Sequence, residues 1–268
     1  MALTAICAKI KTPIFSIKHP ETYQISAALP IPQPSALIGA LAYCLGVEKG
    51  SGTKILKKVR EAVILARAKM IEGVTTVNPI LLRRFRILDR GLERDKKGGT
   101  PLFLRAYNAL SLGDVETFRK IIEGKLTDAL YREYLSNVLI KCIWVLKKTF
   151  DSSILYFLQR LGDTESLITV IDAWTAKCCA IKLDSLSTGY PFVLDFNILK
   201  EIYGSYITLK MCDEERKLKM YCIPCKRDIF ETSIGTRYFA YSPTEAHIKL
   251  RSPQTVFIID EEKILGIK

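Results

Sequence analysis

Between residues 2 and 11 apolar side chains fall on both sides of a regular alternation. Leu3, Ala5 and Cys7 face one way and Ile6, Ala8 and Ile10 the other, which predicts a buried strand. A different pattern begins at residue 23, in YQISAALPIPQPSALIGALAYCLG. Pro30, Pro32 and Pro34 each fix their own φ and push the preceding residue into extended geometry, so the chain stiffens into a rod that ends at a helix start. That helix is predicted over 34–47, with Ser35 as N-cap or first-turn residue. Gly39, Ala40 and Ala42 thin one of its faces, where another backbone, from the protein's own sheet or from a ligand, can lie close.

Ile55, Leu56, Val59, Val63, Ala66 and Met70 recur at helical spacing and predict an amphipathic helix over 53–72, with Lys54, Lys57, Lys58 and Arg60 on its other face. Residues 74–82 (VTTVNPILL) read as a strand weakened by Pro79. A short helix is expected at 114–124, a β-rich apolar run at 131–146, a helix at 152–161 ending at Gly162, and a strand at 168–183. Shorter strands follow at 205–212, 217–225, 236–241 and 255–267. No internal repeat or low-complexity linker interrupts them.

Between the second and third strands the character of the chain changes. Residues 83–107 (RRFRILDRGLERDKKGGTPLFLRAY) hold eight basic side chains, Arg83, Arg84, Arg86, Arg90, Arg94, Lys96, Lys97 and Arg105, against three acidic ones. The stretch 95–101 has Gly-Gly and nothing apolar, so it is expected to be the mobile end of a hairpin. Setting this excursion aside, strand, helix, strand, strand, helix, strand is the βαββαβ order of an α+β, ferredoxin-like or RRM-like fold. Such sheets present a face to single-stranded RNA. The expected organisation is one such domain over 1–183, carrying an insertion at about 83–130, and a smaller β-rich domain over 184–268.

Composition narrows the class. The 268 residues are 49% hydrophobic and 25% charged, the profile of a globular chain long enough to bury a real core. No apolar run reaches the length of a membrane span, and the N-terminal alternation lacks the basic region and apolar core of a signal peptide, so a cytoplasmic location is expected. Forty Lys and Arg against 28 Asp and Glu give a net charge of +12, which favours a polyanionic partner. Eight cysteines are many for a cytosolic protein, and only four Asn and four Gln are present; both suit a hyperthermophile, where intracellular disulfides occur.

Catalytic and metal chemistry is poorly represented. GVEKGSGTK (46–54) has phosphate-loop composition, but its Gly52-Thr53-Lys54 ending scrambles the order that places the lysine and the magnesium-binding hydroxyl, leaving a helix–helix turn. Cys222-Ile-Pro-Cys225 is a single CxxC without a second pair for zinc, in a strand-like stretch unlike a redox motif; a turn or local disulfide is expected. His19 and His247 are the only histidines; His19 reads more simply as a surface residue than as a general base, and His247 lies far along the chain from the CxxC. Tyr131-Arg132-Glu133-Tyr134, at the entry to an apolar strand, is either a structural Arg–Glu pair or a phosphate-gripping, base-stacking group built on Arg132 and Tyr134.

Three stretches together resemble a known family: LPIPQPSALIGALAYCLG (29–46), Arg132-Glu133-Tyr134, and LGDTES (161–166). The first is similar to the P-x-P-P-S-x-x-x-G-x-L-x-x-x-L-G signature of the fifth CRISPR-associated protein family of the RAMP superfamily, in its archaeal type I-A (Apern) form. Gln33 stands where the second of paired prolines is common. The resemblance covers about residues 1–180. It implies a RAMP ferredoxin-like domain whose first helix, with Ser35 and Gly39, lies near the 5′ handle of a CRISPR RNA. The basic excursion then corresponds to the family's thumb, a hairpin reaching over the guide. One branch of the family cuts precursor RNA with a Tyr, Lys and His constellation, which has no assignable counterpart here, and type I-A systems use a separate endonuclease. The implied protein is a non-catalytic subunit of a Cascade interference complex, with CRISPR RNA and the backbone and large subunits as partners, and no metal, cofactor, membrane or small-molecule substrate. A metal-independent endoribonuclease and a generic RRM-like nucleic-acid binder are the alternatives.

Overall fold

The computed structural model describes residues 3–22, 25–50, 54–86, 90–94, 99–162, 166–231, 233, 235 and 237–267, without the side chains of Ile25, Ser26, Leu82, Arg83, Arg84 and Asn137. The chain divides into two compact units, one comprising residues 1–22, 27–78 and 133–268 and the other residues 23–26 and 79–132. The fold mixes helices with a mostly antiparallel sheet.

In the larger unit the alternation at the N-terminus forms β1 (Leu3–Phe15), which pairs antiparallel on one side with β5 (Thr127–Leu146) and on the other with β6 (Thr169–Thr188). Ile6, Ala8 and Ile10 face one layer of core together with Leu37, Leu41 and Cys44 of helix α1 (Pro34–Lys49). Ala5 and Cys7 face a second layer with Ile143, Val145, Phe257 and Ile264. Both faces of β1 are therefore buried, as its pattern requires.

The predicted helix 53–72 is the main misreading. Helix α2 ends early (Lys54–Ala62), and Val63–Met70 is strand β3, antiparallel to β5. Its residues divide between layers, Leu65 in one and Ala66, Ala68 and Met70 in the other. A strand buried on both faces shows no alternation, and its apolar positions mimicked a continuing helical stripe. Arg67 sits within this strand at 1% exposure. Its guanidinium donates to Glu214, to the Ala66 carbonyl at 2.7 Å and to the Ile267 carbonyl at 3.1 Å, and lies over the Tyr221 ring. A charge so placed is tolerable only because it is paired and hydrogen-bonded.

Strand order through this unit runs β13 (Glu262–Leu265), β12 (Ala246–Ile259), β6, β1, β5, β3. The predicted helix 152–161 is a shorter 3-10 turn, Ser152–Phe157, started by Asp151, whose carboxylate accepts from the Ser153 amide at 3.0 Å. At Gly162 φ is +107°, and a Cβ would stand 2.4 Å from the Ile17 side chain, so only glycine fits. The C-terminal strands extend the alternation further than the sequence suggested: β7 (Phe192–Val193), β8 (Leu199–Tyr203), β9 (Tyr206–Cys212), β10 (Leu218–Glu231) and β11 (Arg237–Pro243). All eight cysteines are free. The local disulfide expected at Cys222 and Cys225 does not form, because positions three apart on β10 point to opposite faces and enter different core clusters.

The smaller unit contains β2 (Ile25–Ser26), which runs parallel to Tyr131 and Arg132 of β5, and two helices joined by a tight turn, α3 (Leu102–Ser111) and α4 (Val115–Lys125). Helix α3 was not anticipated. Leu102, Ala106, Ile121 and Leu126 form its small core, flanked by Phe118 and Ile122. Asp114 caps α4 by accepting from the Thr117 amide at 3.0 Å, a bond that holds its carboxyl below the ordinary value. Strand β4 (Thr75–Phe85) runs through Pro79. No described helix is long and apolar enough to cross a membrane.

Candidate nucleic-acid interface

Two arginines of the basic segment are brought together by one carboxylate. Arg86 donates to Asp128 Oδ2 at 2.8 Å, and Arg90 Nη1 lies 3.5 Å from Asp128 Oδ1. The Arg90 amide donates to the Arg86 carbonyl at 2.8 Å, and the Phe103 amide to the Gly91 carbonyl at 2.9 Å. The two guanidinium groups are held in place, and each is about a third exposed, at 30% and 38%. A planar fork so oriented can still present donors to a phosphate. Arg94 is exposed, while Arg105 on α3 and Arg132 on β5 are half-buried. Lys96, Lys97 and residues 95–98 of the hairpin end expected at 95–101 lie outside the described residues, as do the side chains of Arg83 and Arg84.

Two exposed aromatics in this unit, Phe103 and Tyr107, escaped the sequence reading, and Tyr131 was noted only as a neighbour of Arg132. Tyr107 is 60% and Phe103 48% exposed on α3, and Tyr131 is 54% exposed. The spacing of Phe103 and Tyr107, one helical turn apart, was the available signal. Tyr134 is the reverse case. Only 8% exposed, its ring offers no face to a base, and the stacking role expected of it is not available in this structure.

In the larger unit the three motifs explain one another structurally. Pro30, Pro32 and Pro34 are buried, and the rod is tied down by the Leu29 amide on the Ile17 carbonyl at 2.8 Å. Glu133 accepts the Ala28 amide at 3.0 Å through its carboxylate, and its carbonyl accepts from Ser16 Oγ at 3.0 Å. Ser166 in turn accepts the Ser16 amide at 2.9 Å. Gln33, not Ser35, is the N-cap of α1, and its side-chain oxygen accepts the Cys212 amide at 3.0 Å, a bond proline could not make. Ser35 is half-buried and Gly39 exposed; a Cβ on Gly39 would meet nothing within 4 Å. The close internal contact expected at Gly39 is absent, and the residues one and two turns on, Tyr43 and Val47, are each 47% exposed.

Nucleophilic and metal chemistry gains little. Burial pushes the thiols of Cys7, Cys44, Cys222 and Cys225 up to about 12, so they stay protonated and inert at neutral pH. His19 Nδ1 accepts its neighbour Glu21's amide at 3.3 Å, and His247 Nδ1 lies 3.2 Å from Ser187 Oγ. Among the described residues no three His, Cys, Asp or Glu side chains are grouped to hold a metal ion.

The α+β chain with its antiparallel sheet shares its fold with a crystal structure of a CRISPR protein from Archaeoglobus fulgidus, at 18% identity, 99% coverage of both chains and a TM-score of 0.60. The profile described as CRISPR-associated protein (Cas_Cas5) matches residues 5–112. A protein named CRISPR-associated protein Cas5 from Thermoproteus tenax is 24% identical over 215 residues, 80% of this chain and 82% of that one. Another of the same name, from Methanocaldococcus jannaschii, is 26% identical over 186 residues, which span 64% of this chain and 63% of the relative. The chain is thus similar to CRISPR-associated Cas5 proteins, in its N-terminal part by the family profile and over most of its length by the Thermoproteus tenax relative.

Proposed function

We propose that the chain is a non-catalytic RNA-binding subunit of a type I-A Cascade interference complex, binding the 5′ handle of the CRISPR RNA and contacting the backbone and large subunits. Similarity to Cas5 proteins supports the CRISPR setting. The observation that carries the RNA assignment is a unit of its own, residues 79–132 with 23–26, on which Arg86 and Arg90 are held together by Asp128 and Arg94 is exposed. This is the thumb in the proposed reading. The strand order β6-β1-β5-β3, antiparallel throughout, supports a ferredoxin-like arrangement of the larger unit. Gly39 fits the same reading, since a helical glycine that nothing in the chain crowds leaves room for a ligand backbone.

Co-purification with the backbone subunit, followed by sequencing of any bound RNA, tests the assignment; absence of CRISPR RNA from the captured complex overturns it. Affinity for repeat RNA should fall with salt at a log–log slope of roughly −3 to −4 if four to six cations engage, at about 0.7 per phosphate. Charge reversal at Arg83, Arg84 and Arg86 should weaken binding most. Incubation of the purified chain with repeat RNA in the absence of metal addresses the non-catalytic part. A cleaved product there replaces this reading with the endoribonuclease one.

A further inference from the structure

Exposed lysines in this protein are commonly matched to an acid: Lys120 to Glu116, Lys210 to Glu21, Lys217 to Glu215, Lys226 to Asp228 and Lys249 to Glu201. Others, such as Lys11, Lys177 and Lys182, have no ion pair among the described residues, and one place gathers several unpaired lysines together. Helix α2 buries Ile55, Val59 and Ala62 and turns Lys54, Lys57, Lys58 and Arg60 to solvent. Its last turn is fastened to the end of β5 by the Lys147 amide, which donates to the Ala62 carbonyl at 2.8 Å. That bond brings Lys147 and Lys148 alongside Lys58. A groove of about 460 Å³ opens between them, lined by Lys58, Glu61, Ala62, Lys147, Lys148 and Phe150. Three lysines against one glutamate leave a net +2 on its walls. Among the described residues, none of the three lysines forms an ion pair, nor do Lys54, Lys57 and Arg60 beside them.

Like charges gathered in excess of their counter-charge repel one another, and the natural relief is a polyanion. The groove is larger than a single phosphate, and the cations continue along α2 beyond its rim, so several phosphates in a row fit better than one. Ala62 and the half-buried Phe150 give it an apolar floor that suits sugar or base rather than an acidic protein chain. We infer that the groove between α2 and the end of β5 is a second nucleic-acid contact, gripping the phosphodiester backbone of a single strand. It lies in the larger unit and uses none of the arginines of the basic segment, so it stands whether or not that segment reads the CRISPR RNA.

The test uses the full chain and labelled oligouridine and oligothymidine strands, with binding followed by fluorescence anisotropy over a salt series. A triple variant, Lys58→Gln, Lys147→Gln and Lys148→Gln, is compared with a control that neutralises three exposed lysines on other strands, Lys177→Gln, Lys182→Gln and Lys200→Gln. The groove variant should reduce the magnitude of the salt slope by about 2, three charges at about 0.7 each, while the control leaves it near the parent value. Equal losses in both variants would mean that the excess charge acts diffusely, and overturn the site. So would an unchanged slope in the groove variant, or a parent chain that binds a duplex competitor and neither single strand. A larger loss with oligouridine identifies RNA as the strand, and equal losses with both identify a backbone contact indifferent to the sugar. Failure of the CRISPR RNA assignment shows up separately, in the RNA captured from the complex.

Discussion

Two pockets in the larger unit both carry lysines and differ in how those charges are met. In the first, a cavity of about 240 Å³ whose walls include Lys69, Tyr190 and three glutamates, Glu262 ties its neighbours together. Glu262 lies 2.5 Å from Lys69 Nζ and 2.8 Å from Lys141 Nζ, and accepts the Tyr190 hydroxyl at 2.7 Å. Both lysines are largely buried, at 16% and 13%, and sit over the Tyr190 and Trp174 rings. In the second, at α2, the lysines are exposed, outnumber the single Glu61 beside them and, among the described residues, form no ion pair. The first pocket is complete within the chain and joins β3, β5 and β13. The second is complete only with something from outside. A positive charge in a sequence therefore says little until its partner is known, because an engaged cation is scaffold and an unengaged one is available for binding.

The largest expected effect breaks the first pocket. Glu262→Gln leaves two mostly buried ammonium groups without their shared counter-charge, and should cost about 2 to 3 kcal/mol of stability. A lower urea midpoint at unchanged m-value would show it. A loss under about 0.5 kcal/mol would make the pocket as dispensable as a surface pair, and the contrast would fail.

Acid should reproduce part of that loss in the parent. Burial raises the Glu262 carboxyl, but the bonds from Lys141, Lys69 and Tyr190 outweigh it and hold it below the ordinary glutamate value of 4.5. A group whose folded value is depressed contributes stability that is fully present above its unfolded value and is lost as pH falls through its folded one. The melting temperature of the parent should therefore drop more steeply than that of Glu262→Gln as the pH is lowered through and below 4.5. Parallel curves would show that the carboxyl is not held by its neighbours.

Neither pocket was legible in the sequence, and the reason is distance along the chain. Local patterns announced β1, α1, α4, β5 and most of the C-terminal strands, because alternation and helical spacing are properties of a few consecutive residues. Val63–Met70 was misread because a strand buried on both faces has no period of its own. Leu102–Ser111 was missed because its first half was counted, through Arg105, into the basic excursion, although Leu102 and Ala106 are core residues. The motifs at Glu133 and at Leu161 to Ser166 were visible as motifs, but their purpose, holding Ala28 and Ser16, needed the fold. The basic segment was counted correctly, yet Asp128, which engages two of its arginines, lies outside the segment. Lys58 met Lys147 and Lys148 only once β5 had returned to the end of α2.

The smallest effect is the most discriminating. If the lysines at α2 are unengaged, removing their charge takes no bond away and relieves repulsion, notably between Lys54 and Lys58 one turn apart. Like charges at that spacing destabilise a helix by about 0.2 to 0.5 kcal/mol. The variant carrying Lys58→Gln, Lys147→Gln and Lys148→Gln should therefore melt at the parent temperature or slightly above it. The gain should shrink as salt is added, since screening relieves the same repulsion in the parent. Urea denaturation of both chains at low and high ionic strength measures the difference. A variant less stable than the parent by more than about 0.5 kcal/mol would place these lysines in the same class as Lys69 and Lys141, as charges the fold depends on. A groove whose lysines hold the fold together has none to spare for a nucleic-acid strand, and the distinction between the two pockets would then be one of exposure alone.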